Sequence, residues 1–76
     1  MMKQGFVPAV WVAKALSKAL STVHRMVSDG RVDGAYDGRA LYVQCDSLIA
    51  HYHDSQNPAL EDVAKALKVK CLKEAH

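Results

Sequence analysis

Apolar positions in the first third of the chain recur at three- and four-residue steps. Val10, Ala13 and Leu16 share one side of a helix that Pro8 is suited to open, since a missing N–H costs nothing at the first helical position. Ser17 and Lys18 interrupt the run, and Ser17 is suited to cap a second helix reaching about Ser28. In that helix Leu20, Val23 and Val27, with Met26 beside them, form a core stripe. Ser21, Thr22, Arg25 and Ser28 form the opposite face, with His24 at its border. Asp29-Gly30 ends it, with glycine as the left-handed residue. The period then becomes strand-like. Two β-capable runs, Arg31 to Tyr36 and Arg39 to Gln44, flank Asp37-Gly38, a dipeptide suited to the two central positions of a type I′ turn. This predicts a two-stranded hairpin, which must pack on the helices because a lone hairpin is marginal in water.

Asp46 is placed to cap a third helix whose apolar side is Leu48, Ile49 and Tyr52. Ser55-Gln56-Asn57 reads as a polar hinge. Asn57 as cap and Pro58 at the first position then open a fourth helix. Its acids lie at the start and its lysines at the end, as the helix dipole prefers, and Glu61 and Lys65 form an i, i+4 pair. The pattern predicts a mostly helical α+β chain in two parts. Residues 1–54 form a domain with a core of Val10, Leu16, Val23, Val27, Leu48 and Tyr52, to which Trp11 adds buried area. Residues 55–76 form a hinge and a C-terminal helix. The first part already supplies a core, so the stripe of Leu60, Val63, Leu67 and Cys71 is expected to pack against a second copy of the chain. The alternative is that the helix folds back and closes its own domain.

Composition narrows the function. Seventy-six residues, half of them hydrophobic and 24% charged, make one small globular unit. A deep catalytic cleft needs a larger shell, so a binding protein is expected rather than an enzyme. A core of this size rarely supplies more than about 3–5 kcal/mol unaided. Two cysteines are too few for a disulfide scaffold, and two reduced thiols in a cytoplasmic protein are expected. The run from Gly5 to Ala13 after Lys3 faintly resembles a signal peptide, but Pro8 interrupts it and Lys14 ends it. No stretch reaches the ~18 apolar residues of a membrane span. His24, His51, His53 and His76 and the two cysteines lack metal-ligand spacing, and the glycines form no phosphate loop, so no metal or cofactor is expected.

The net charge of +2 hides an uneven order. Lys3, Lys14, Lys18 and Arg25 stand in the first 28 residues with no acid. The middle is acidic, carrying Asp29, Asp33, Asp37, Asp46, Asp54, Glu61 and Asp62 against Arg31 and Arg39. The last segment is basic again. The basic front segment could face phosphates.

Several short motifs then fall in one register: Ala13 with Leu16, Thr22-Val23-His24-Arg25, Gly30-Arg31, Gly38-Arg39, Tyr42-Val43, Asp46-Ser47-Leu48 and Tyr52. Over about residues 6–53 this set resembles the winged helix-turn-helix domains of phage excisionases and MerR-like regulators. Two departures are plain. Ser17, Lys18 and Ala19 stand where those families carry a Gly, a buried aliphatic residue and a capping Ser, and the wing holds Asp33 and Asp37 where Arg or Lys is usual.

The resemblance implies a second helix that reads double-stranded DNA and a hairpin that serves as a wing. Lys18, Ser21, Thr22, His24, Arg25 and Arg39 are then the expected DNA-binding residues. It further implies an excisionase-like architectural factor or transcriptional regulator of a phage or mobile element, in the cytoplasm with the nucleoid, binding as a homodimer or cooperative array. Two rivals stand beside it: the DNA-recognition domain of a phage terminase small subunit, and a winged-helix protein-interaction module without DNA binding.

Overall fold

A computed structural model describes residues 5–74; Lys3 and His76, which entered the charge and histidine readings, lie outside them. The element order is β1 (Phe6–Pro8), α1 (Ala9–Leu16), α2 (Leu20–Ser28), β2 (Gly34–Asp37), β3 (Ala40–Gln44), α3 (Cys45–Asp54) and α4 (Pro58–Glu74). The chain is thus a mostly helical α+β fold, with four helices and a three-stranded antiparallel sheet among the described residues.

The sheet has the order β1-β3-β2. Strand β1 is an addition to the expected hairpin and pairs Phe6 with Gln44, Val7 with Val43 and Pro8 with Tyr42. Proline is tolerated there because β1 is an edge strand with no ladder to feed on its far side. The β2–β3 register joins Asp37 to Ala40, so the two loop residues are Gly38 and Arg39, one position later than the sequence pattern indicated. Gly38 has φ +64° and Arg39 is not left-handed, which is the sign pattern of a II′ rather than a I′ turn. The alternation in β3 is clean: Leu41 and Val43 are buried while Ala40, Tyr42 and Gln44 are not. Gly34 is needed for space. A Cβ there would lie 2.9 Å from the Tyr42 carbonyl oxygen and 3.1 Å from the Val27 methyls, so α2 could not approach the sheet.

Three helix ends share one hydrogen-bond pattern. After α1 the Lys18 N–H donates to the Ala13 carbonyl and the Ser17 N–H to Lys14. After α2 the Arg31 N–H donates to Met26 and Gly30 to Val27; after α3 the Asn57 N–H donates to Tyr52 and Gln56 to His53. Each is a Schellman cap with a left-handed residue at its corner. Those residues are Ser17 (φ +54°), Gly30 (φ +78°) and Gln56 (φ +55°). Ser17 therefore terminates α1 and does not cap α2, whose N-cap is Ala19. Ser55 to Asn57 is a hydrogen-bonded corner rather than a hinge. Asn57 does cap α4, its Oδ1 accepting from the Leu60 N–H at 3.3 Å. Asp46 lies in the first turn of α3 without capping it, and accepts instead from Lys68 Nζ at 2.6 Å.

One core serves the whole described chain. Val7, Val12, Leu16, Val23, Met26, Leu41, Val43, Cys45, Leu48 and Tyr52 are buried together with Ala64, Leu67 and Cys71 of α4. Leu60 and Val63 are partly buried against the same cluster. Helix α4 folds back on α3, α1 and β1, the alternative the sequence left open for residues 55–76, and its stripe joins the chain's own core. The physical reason is that Ala64, Leu67 and Cys71 of α4 join the same buried cluster as Val7, Val12 and Leu48. Two expected core positions face solvent, Val10 at 51% and Leu20 at 41% exposure. Trp11 and Val27 are only partly buried. Among the described residues no helix is long and apolar enough to cross a membrane.

Candidate nucleic-acid interface

The candidate face begins with α2. Val23 and Met26 turn inward, and the helical repeat then sends Ser21, Thr22, Arg25 and Ser28 outward, where all four are exposed. Ser21 and Thr22 lie four and three residues before Arg25, so each is its neighbour on the helix surface. Lys18 is exposed just before the helix, after the left-handed turn at Ser17. Ala19 offers no side-chain acceptor and the first turn holds no acid. The leading backbone N–H groups of α2 thus have no side-chain cap, an arrangement that suits an anion.

The electrostatics separate this region from the rest. Among the described residues the ion pairs are His53 and Lys65 with Glu61, and Lys68 with Asp46, all within α3 and α4. Lys65 at 3.2 Å, with His53 at 3.4 Å, holds the Glu61 carboxyl below its ordinary range, and Asp46 raises Lys68. Lys18, Arg25 and Arg39 enter no ion pair among the described residues, nor do Asp29, Asp33 and Asp37. A guanidinium, an ammonium and two hydroxyls along one helix can bond phosphate oxygens and base edges.

The hairpin is tied to α2 by a contact that no sequence pattern signalled. The His24 Nδ1 and the Tyr36 hydroxyl share a hydrogen bond of 3.2 Å, and their rings lie 6.0 Å apart. Tyr36 pairs across the strands with Leu41, which places it on the core-side face of the sheet, yet it is 61% exposed at the margin. Arg39 stands at the hairpin tip, three residues on, and is exposed. The hairpin base is also fixed: the Asp33 N–H donates to Ser47 Oγ at 2.8 Å, and the Gln44 N–H to the Asp33 carbonyl at 2.9 Å.

Lys14, from the same basic front segment, is placed elsewhere, in a groove beside α4. Leu60, Val63, Leu67 and Cys71, named for contact between copies, serve the chain's own core. Cys45 and Cys71 are buried free thiols, and no group of three or more His, Cys, Asp or Glu side chains that could hold a metal occurs among the described residues. Comparison with protein-family models, with curated proteins and with solved structures finds no match.

Proposed function

We propose that the chain binds double-stranded DNA as a small winged helix-turn-helix protein, with α2 in the major groove and the β2–β3 hairpin as the wing. The observation that carries this reading is the exposed Lys18, Ser21, Thr22 and Arg25 surface, free of ion pairs among the described residues and joined to the hairpin through His24 and Tyr36. The role that fits best is an excisionase-like architectural factor or transcriptional regulator of a phage or mobile element, by the resemblance in residues 6–53. Lys18, Ser21 and Thr22 contact phosphates in this reading, Arg25 a guanine edge, and Arg39 the neighbouring minor groove.

The test is a gel shift and anisotropy titration against DNA flanking the gene, over a series of salt concentrations. Lys18 on a phosphate, with Arg25 and Arg39 displacing counterions from the grooves they enter, bounds the slope of log K against log salt at about −2.7. Arg25→Ala should weaken specific binding by roughly 1–3 kcal/mol, relax preference at one base position and leave the fold intact. A protein that retains no duplex at low salt overturns the proposal. That result favours a protein-interaction module, for which the exposed carboxylates of Asp33 and Asp37 on the hairpin are the supporting observation.

A further inference from the structure

A second surface lies between α1 and α4. Trp11, Lys14 and Ala15 of α1 and Val63, Ala66, Leu67 and Lys70 of α4 line an open groove of about 490 Å³. Its floor is apolar and its lining holds two lysines and no acid. Elsewhere on α4, Lys65 is neutralised by Glu61 and Lys68 by Asp46, while Lys73 enters no ion pair among the described residues. Lys14 and Lys70 have no carboxylate partner among the described residues, and Lys70 Nζ sits 4.3 Å from the centre of the Trp11 ring. A strip of apolar surface is thus bracketed by two lysines that pair with no carboxylate among the described residues.

We infer that this groove docks an acidic amphipathic helix of a partner protein, with leucine-sized side chains against Trp11 and Val63 and carboxylates paired with Lys14 and Lys70. The helix-in-groove mode needs a concave apolar floor with complementary charge at the edges, and both are present. A second copy of the chain fits poorly. A two-fold pair would set this patch against itself and bring lysines against lysines. A nucleobase fits poorly as well, because the Lys70 ammonium already covers a face of the Trp11 ring. The inference is independent of the DNA reading, since none of the residues proposed for the duplex lines the groove.

Trp11 is the single tryptophan of the chain, so its emission reports on this site alone. The experiment titrates the full chain with an amphipathic peptide of about 18 residues, long enough for helix, built of Leu at i, i+3, i+4 and i+7 with Glu between. A saturable blue shift is expected. It should be absent with a scrambled peptide of equal composition and with a Lys-for-Glu peptide. Lys70→Glu and Lys14→Glu should each weaken the response roughly tenfold, and Lys70→Arg should retain it. Both lysines are exposed, and thermal melting checks that the variants fold. No shift, or equal shifts with the scrambled peptide, overturns the inference. So does a blue shift on concentrating the protein alone, which would assign the groove to a second copy. A response to phosphatidylserine vesicles or to single-stranded oligonucleotide that exceeds the response to the acidic peptide overturns it in favour of those partners.

Discussion

Ser17 and Gln56 hold left-handed backbone that glycine holds more cheaply. Ser17 has φ 54° and ψ 42° at the corner of a Schellman cap, and the strain of a side chain there is about 1–2 kcal/mol. Ser17→Gly should therefore stabilise the chain by about 1 kcal/mol, less the entropy glycine adds to the unfolded state, and raise the melting temperature by a few degrees. Calorimetry of the variant checks this, and a lower melting temperature would show that the serine side chain contributes a bond of its own. A left-handed cap position can thus be filled by a residue other than glycine when both cap bonds form.

Cys45 makes a different residue-scale prediction. Burial, with Cys71 beside it, pushes its thiol up to about 11 from 9.0. The fold binds this proton more tightly than the unfolded chain does. The associated stability is complete below about pH 9 and is lost as pH rises toward about 11, by at most ~1.4 kcal/mol per pH unit. Burial raises Tyr52 in the same direction. Urea midpoints from pH 8 to 11 in reducing buffer should fall, and should fall less steeply in Cys45→Ala.

At the scale of elements, local signals were readable where the pairing partners are near in sequence. Asn57 and Pro58 start α4 as their chemistry requires, and the Glu61–Lys65 pair forms at 3.2 Å. Leu48 and Tyr52 are buried as the helical period indicated. Strand β1 was not readable. Three residues ending in proline carry no alternation, and their partners lie more than thirty positions away at Tyr42 to Gln44. Leu20 and Val10 misled for a related reason: period alone does not say how wide a helix face the neighbours cover. In the candidate interface, the exposure of Lys18, Ser21, Thr22, Arg25 and Arg39 followed from pattern, whereas the His24–Tyr36 contact depends on how the hairpin lies against α2. The turn itself is testable. Gly38 has open space around a Cβ but φ +64°, so Gly38→Val fails through backbone strain and should cost roughly 1–3 kcal/mol. An unchanged melting curve would mean that the turn relaxes into another type.

For the whole molecule, the decisive element is α4. Leu67 is 6% exposed, and Cys71 is fully buried beside Phe6 of β1 and Cys45 of α3. Leu67→Asp should unfold the monomer, since an unpaired buried charge costs about as much as a core of this size supplies. Circular dichroism and sedimentation together decide it. A variant that stays folded but halves in mass would restore the role of α4 between copies.

The bond from the Cys71 thiol to the Phe6 carbonyl, 3.0 Å long, spans 65 positions. During synthesis β1 therefore has to wait for α4. When α1 and α2 have left the ribosome, Val7 has neither Val43 nor α4 beside it, and Val12 lies open. The nascent front segment is thus a sticky intermediate whose apolar side is covered only when residue 71 emerges.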